Sequence, residues 1–479
     1  MAERQEMRRP WWFKLGVAAL VVVLLGGGTI LFLGWSADRR WQAYSAMLRG
    51  EGEPLTFVEI EALRTTVPDD QNGARVVEAL VNELEAVRSA DTPKAVFFLG
   101  RPSSASRPDF FGGIPRASIQ PSSEFLEQHR SVRDELMRLS DFPDGRFDLA
   151  YQSMPATVGL PIAMGFPHLA PIRAAAKLLG LDAALALIDG EFSRAAEDVH
   201  IQLRLTALLD EEPDIISRLV QMAVNEMAIK SLENTLRVGD LPETMLSKLD
   251  GEFASHLSSA TFRWALWAER ANFVEICDRL ALGEMSSAGL SSISDVPPEL
   301  GSDPALFFRR NQLKGTQMLS ELIAAGDDPR AMIKAAKEMT TETAKLSMAL
   351  YPLVHMLLAS LDRAVMLHIR STAQMACART AIGAERFRLN TGRLPNSPDE
   401  LVPDYLDEWP TDPFDGQPMR FAITDDGIVI YSVDDDATDD GGSVAPAEGE
   451  KQPRDRGFRL FRLDRRGLLL IDENMNPNE

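Results

Sequence analysis

Cysteine is nearly absent from this chain: Cys277 and Cys377 are the only two among 479 residues. They stand far apart in apolar, helical surroundings, so a paired-thiol zinc site is excluded by count and nothing in the spacing calls for a disulfide. Histidine is also scarce. His129, His168, His200, His256, His355 and His368 show no H-E-x-x-H spacing, and His355 and His368 lie too far apart along one predicted helix to share a metal. The chain has no G-x-S-x-G elbow, no G-x-x-x-x-G-K-S/T phosphate loop and no G-x-G-x-x-G after a strand. Sequence grounds for an enzyme are therefore missing, and no catalytic residue or small-molecule substrate emerges. Positive charge is short too: 50 Lys and Arg face 71 Asp and Glu, a net charge of −21. Such a field repels phosphate, which excludes a nucleic-acid partner and makes an anionic membrane surface a poor partner for the body of the chain.

What is present is a globular composition, 45% hydrophobic and 25% charged, with one long uncharged run. Leu15 to Trp35 reads LGVAALVVVLLGGGTILFLGW, long enough at about 1.5 Å per residue to cross a hydrocarbon core of about 30 Å. Trp11, Trp12 and Trp35 sit where interfacial aromatics belong. Arg4, Arg8, Arg9 and Lys14 outweigh Arg39, Arg40 and Arg49, which favours a cytoplasmic N-terminus. The run exceeds a signal-peptide core and lacks an A-x-A-like site. The expectation is a tail over 1–14, an uncleaved transmembrane anchor over 15–35 and an extracytoplasmic body on the inner membrane.

Helical periodicity dominates the rest. A helical entry segment is expected over 36–88, with Asp70, Gln71 and Asn72 as a turn capping a helix that begins near Ala74. A Pro/Gly/Ser-rich connection follows over 89–172, with one helix at Ser123 to Leu139. The helical body, 173–328, reads as antiparallel hairpins; Gly190, Phe192 and Ala195 match only the middle of a tetratricopeptide repeat. The Ser/Gly/Pro-rich stretch from Gly283 to Pro304 is the candidate domain boundary. The apolar segment Leu346 to Ile369 contains His355, Asp362, Arg363 and His368, so it is expected to be a buried amphipathic helix and not a second span.

The most informative stretch runs from Arg379 to Gly442. Apolar or small residues at Met366, Ile369, Ala373, Ala376, Cys377, Thr380, Ala384 and Phe387 make one buried helix face, ended by Gly392 and Pro395. Glu385, Arg386 and Arg388 are expected on its solvated side. Ser397 to Glu400 starts a short turn, and DPFDGQP from Asp412 to Pro418 is turn chemistry. Met419, Phe421 and Ile423 alternate as a half-buried strand, Asp426 and Gly427 turn the chain, and Ile428 to Val433 return it into the acidic loop Asp434 to Gly442. Gly457 to Leu463 adds a final strand. The words ERFRLNTGRLP, P-x-DPF-x-G-x-P and the strand IYS before an Asp-rich, Gly-rich loop resemble the C-terminal half of the major pseudopilin of type II secretion. That resemblance implies a long helix packed on a small antiparallel sheet and, in the loop, a calcium ion. The matching ligand positions are Asp434, Asp436, Asp439 and Asp440, with the Ser432 carbonyl as a possible addition.

The fold expected is mainly α: an N-terminal transmembrane helix, a helical-hairpin body and a small C-terminal α+β unit, 329–479, with an antiparallel sheet. The expected role is a non-enzymatic, membrane-anchored envelope protein acting in a secretion-like or surface assembly with protein partners. Two other readings remain open: a helical scaffold binding a peptide or protein, and an envelope hydrolase whose carboxylates meet only in space.

Overall fold

A computed structural model describes residues 32, 35–89, 114–149, 166–257, 260–284, 304–444, 453–467 and 470–471. Most of the expected anchor, and much of the Pro/Gly/Ser-rich connection, lie outside these residues. Helix α1 covers 35–50, followed by α2 (Phe57–Glu61), α3 (Ala74–Ala79) and α4 (Val81–Ser89). Thr56 and Glu59 close a reciprocal capping box on α2. Asn72 does what its turn position suggests: its side-chain oxygen accepts from the Ala74 and Arg146 amides at 3.1 and 2.9 Å.

The helix expected from Ser123 to Leu139 is divided at His129 into α5 (Arg116–Gln128) and α6 (Arg130–Leu136), and Met137–Asp141 tightens into a 3-10 turn. Strand β1 (Ile114–Pro115), which no periodicity announces, pairs in parallel with β5 (Leu470–Ile471) near the far end of the chain.

Four long helices build the centre: α7 (Leu169–Asp189), α8 (Phe192–Ala207), α9 (Ile215–Val238) and α10 (Glu243–Ser255). Their turns follow local chemistry. Gly190 takes the left-handed conformation, φ 75°, that ends α7, and the Asp214 carboxylate caps α9 by accepting from the Ile216 and Ser217 amides. Next come α11 (Ala260–Ala281), α12 (Pro304–Ala324) and α13 (Pro329–Lys345); α11 and α12 pack along each other on either side of the Ser/Gly/Pro-rich stretch. Gly315 makes that close approach possible, since a Cβ there would lie 2.2 Å from the Phe273 ring.

The apolar segment expected as one helix from Leu346 is broken. Residues 346–351 form a loop, Pro352 starts the short α14 (Pro352–Leu358), and the 31-residue spine α15 (Leu361–Thr391) begins only after Ser360. Proline at a helix start has no amide to give to a preceding turn, which sets the break. Among the described residues, Pro352–Thr391 is the one stretch apolar and long enough to cross a membrane, and half of its apolar window is buried inside the protein. That degree of burial is what a core helix shows.

The sheet has the order β2 (Arg420–Ile423), β3 (Gly427–Ser432), β4 (Arg456–Phe461), antiparallel throughout. Ile430 stands opposite both Phe421 and Phe458, and Ile428 opposite Ile423 and Leu460. Ile428 and Ile430 join the core against the spine, while Gly442 of the acidic loop lies over Tyr431 and Val429 on the other face, so every residue of β3 is buried. The architecture is thus mostly helical with a small antiparallel sheet near the C-terminus.

Two helices hold these parts together. The first half of α9 buries Val220 and Val224 with α3–α7, and its second half buries Ile229, Leu232 and Leu236 with α8, α10, the spine and the sheet. The spine divides likewise: Leu361, Val365 and Ile369 pack with α11–α14, whereas Ala378, Ile382 and Phe387 pack with α10 and the sheet. At about 1.5–3 kcal/mol for each fully buried large side chain, the C-terminal unit is welded to the helical body.

Candidate functional site

Several regions gather charge out of water, and the first is the turn-and-loop region around the sheet. Asp412 was expected to be an ordinary turn residue. It is fully buried, and its Oδ1 accepts from the Phe414 amide at 3.0 Å and the Ser432 hydroxyl at 2.9 Å. Oδ2 accepts from the Val433 amide at 3.0 Å and the Arg420 guanidinium at 3.2 Å. Arg420 also grips Asp415, whose carboxyl it holds below the usual range. The DPFDG turn is thereby tied to the end of β3. Asp412→Ala leaves these donors unanswered in the interior and should cost about 3 kcal/mol; Asp412→Asn should cost less. Urea denaturation checks both, and equal stability of all three proteins would show that Asp412 does not hold the turn.

The acidic loop that follows is closed by arginine. Asp434, nearly buried and at φ 57°, places one carboxylate oxygen 2.6 Å from Arg370 of the spine and the other 2.9 Å from Arg456 of β4. Arg370 reaches Asp435 as well, at 2.8 Å; burial lowers the affinity of its guanidinium for the proton, and Asp434 and Asp435 more than reverse this. Asp436 accepts from the Thr438 amide, Asp439 accepts from the Tyr431 hydroxyl and the Gly441 amide, and Asp440 lies 3.5 Å from Arg454. The buried Asp455, which the sequence reading did not single out, receives the Gly442 and Ser443 amides at 2.9 and 3.0 Å. Burial raises its carboxyl and these amides oppose the rise. The four predicted calcium ligands therefore turn to different partners. Among the described residues no group of three or more His, Cys, Asp or Glu side chains could hold a metal ion. This donor set does not fit a calcium cage, because Asp434 already spends both oxygens on guanidinium groups.

On the spine itself, Glu385 and Arg388 are not solvated. Glu385 is fully buried, with Oε1 accepting from Arg388 and Arg466 at 2.7 and 2.8 Å and Oε2 from Arg466 at 2.7 Å. Asp240 completes the group by accepting from both arginines. Arg386 is the more exposed neighbour and pairs with Glu243 of α10 at 2.7 Å.

The second region is a set of acids around the start of α9. His168 meets Glu212 at 2.9 Å, both buried, with the imidazole against the Phe147 ring. Burial lifts the Asp214 carboxyl to about 6, against the two amides it caps. Burial, reinforced by the Asp214 charge, pushes the Glu269 carboxyl on α11 to about 8. His368, stacked on Phe262 at 4.4 Å, is driven the other way to about 3 by burial and the nearby Arg218. Titratable groups shifted this far from their ordinary values are the raw material of acid–base chemistry. Here the cleft beside Glu269, lined by Asn272, Phe273, Leu319, Leu357, Leu358 and Leu361, has no room for a water-sized molecule. Glu269 therefore stands in a packed junction.

Both cysteines are free and buried, and burial pushes each thiol up, away from a reactive thiolate. Comparison of the chain with protein-family profiles, with curated proteins and with solved structures finds no match.

Proposed function

We propose that this is a non-enzymatic, membrane-anchored envelope protein. It presents its helical body and pseudopilin-like C-terminal unit outside the cytoplasm as a structural or interaction component of a secretion-like or surface assembly. The observation that carries the reading is the spine: one helix shared between the body's core and the sheet's core, locked by Glu385 to Arg466 and by Arg370 to Asp434. A frame of this kind passes load and position between an anchor and a distal surface, and its perturbed acids are sealed inside it. Support for the anchor is the uncharged run from Leu15 to Trp35.

A second reading, a scaffold that binds a peptide, is favoured by a groove of about 390 Å³ between α13 and the DPFDG turn, where Arg330, Lys334 and Lys337 flank Ile333 and Phe414. Its cationic rim suits an acidic peptide with an apolar side chain.

The test is cross-linking in intact cells followed by membrane isolation, alkaline extraction and identification of partners. Retention in alkali-washed membranes with pseudopilin-like or inner-membrane platform proteins attached is the expected result. Extraction into the soluble fraction would overturn the anchor, and recovery of only unrelated client peptides would favour the scaffold.

A further inference from the structure

The anchor run ends at Trp35, and the residues that surround this point in the folded body come from three other segments. Arg309 of α12 bridges Asp38 of α1, at 3.3 Å, and Asp278 of α11. Leu282 follows one turn later, its amide donating to the Asp278 carbonyl at 2.9 Å. Beside Arg309, Arg310 donates to the Tyr351 hydroxyl at 2.8 Å, and Asn311 donates to the Leu350 carbonyl at 3.0 Å, which brings the 346–351 loop to the same end of the bundle. The start of α1, the end of α11, the start of α12 and this loop therefore share one end of the molecule.

That end is unusually apolar for a water-facing surface. Phe32, Trp35, Leu282, Met348 and Leu350 are 62%, 55%, 65%, 57% and 42% exposed. Exposed arginines stand among them: Arg39, whose guanidinium lies 4.6 Å from the centre of the Trp35 ring, with Arg40 and Arg310. Asp38 and Asp278 are both answered by Arg309, and among the described residues Glu284 is an exposed acid of this end. In a chain of net charge −21, the combination of apolar side chains, a tryptophan and arginines is what the boundary of a bilayer selects: rings and aliphatic groups at the acyl edge, guanidinium groups at the phosphates.

We infer that this end of the body rests on the surface of the bilayer from which the anchor emerges. Trp35, Leu282, Met348 and Leu350 enter the headgroup region, and Arg39, Arg40 and Arg310 face lipid phosphates. The inference rests on the anchored reading and adds to it an orientation: the helical bundle stands end-on to the membrane, and the sheet, carried by the C-terminal half of the spine, points away.

The experiment uses the full chain in vesicles of phosphatidylethanolamine and phosphatidylglycerol. Single replacements Leu282→Cys, Met348→Cys, Leu350→Cys and, as the distal control, Ile423→Cys on the β2–β3 hairpin are labelled with a polarity-sensitive fluorophore. The buried Cys277 and Cys377 do not compete for the label. Lipids carrying a shallow nitroxide are expected to quench positions 282, 348 and 350 several-fold more than position 423. Equal quenching at all four in a protein that still resists alkaline extraction overturns the surface contact and leaves the anchor standing. Loss of the protein from alkali-washed vesicles overturns the anchor itself, and the surface contact with it.

Discussion

Glu269→Gln is expected to stabilise the folded protein at and above pH 8 and to change it little near pH 4.5. Burial, with the Asp214 charge behind it, raises the Glu269 carboxyl from 4.5 to about 8. The unfolded chain releases this proton near 4.5, so folding takes a proton up across the interval between the two values. The corresponding stability is fully present below 4.5 and is lost as pH rises through 8. At about 1.4 kcal/mol for each unit of difference, the loss is on the order of 5 kcal/mol. Glutamine keeps the shape and never ionises, so its stability should stay flat where the wild type declines. Asp214, raised to about 6, contributes a decline of the same sign in both proteins, and because its charge acts on Glu269 the difference between them reports Glu269 together with that coupling. Urea midpoints across this range make the measurement. Parallel profiles for the two proteins would mean that Glu269 ionises in the fold without penalty.

Glu385→Ala should be the most damaging single change on the spine. The carboxylate sits between Arg388 and Arg466, whose side chains are 6% and 5% exposed, and its removal leaves two buried guanidinium groups with the half-exposed Asp240 as their remaining acid. Breaking a buried, hydrogen-bonded ion group in this way costs about 3–5 kcal/mol. Burial alone would raise the Glu385 carboxyl, but Arg466 and Arg388 outweigh it and hold the group below 4.5. Its stability is therefore present above that value and lost as pH falls through the lowered one, opposite in sign to Glu269. Hydrogen exchange should locate the damage: β4 and the segment through Arg466 should lose protection before α7 and α8 do. A destabilisation below about 1 kcal/mol, the range of an exposed pair, would show that the group is hydrated after all.

The two predictions concern residues whose chemistry the sequence did not reveal. Glu385 and Arg388 are spaced three apart, the pattern of an exposed helix pair. Their burial comes from Arg466, 81 residues further on, which closes over them. Asp412 likewise looks like one acid of a turn, and only the return of Ser432 and Val433 encloses it. Asp434 was read as a metal ligand from the company of its neighbours, but Arg370 comes to it from 64 residues away. In each case the missing information was the identity of a distant partner.

Local elements were far more legible. Gly392 ends its helix in the left-handed conformation because a side chain would be strained there, and Asp426–Gly427 reverses the chain into β3. The C-terminal half of the spine, the hairpin and the strand after the acidic loop lie close to where periodicity put them, β4 starting one residue before and ending two residues before its expected bounds. Where local reading failed, it ran helices together across His129 and across Ala359 and Ser360, and it counted the loop 346–351 as helix.

The sequence by itself determined most of the segments that are helix and strand, several of their ends, and that no familiar catalytic motif is present. Those properties depend on residues within a turn or two, where period, capping and φ preference decide. Tertiary structure decided which charges leave water, which acids meet arginine, and which exposed apolar side chains gather at the end of the bundle that holds Trp35. An ionisable group's behaviour is set by desolvation and by whatever charge packs against it, and those neighbours arrive from remote parts of the chain.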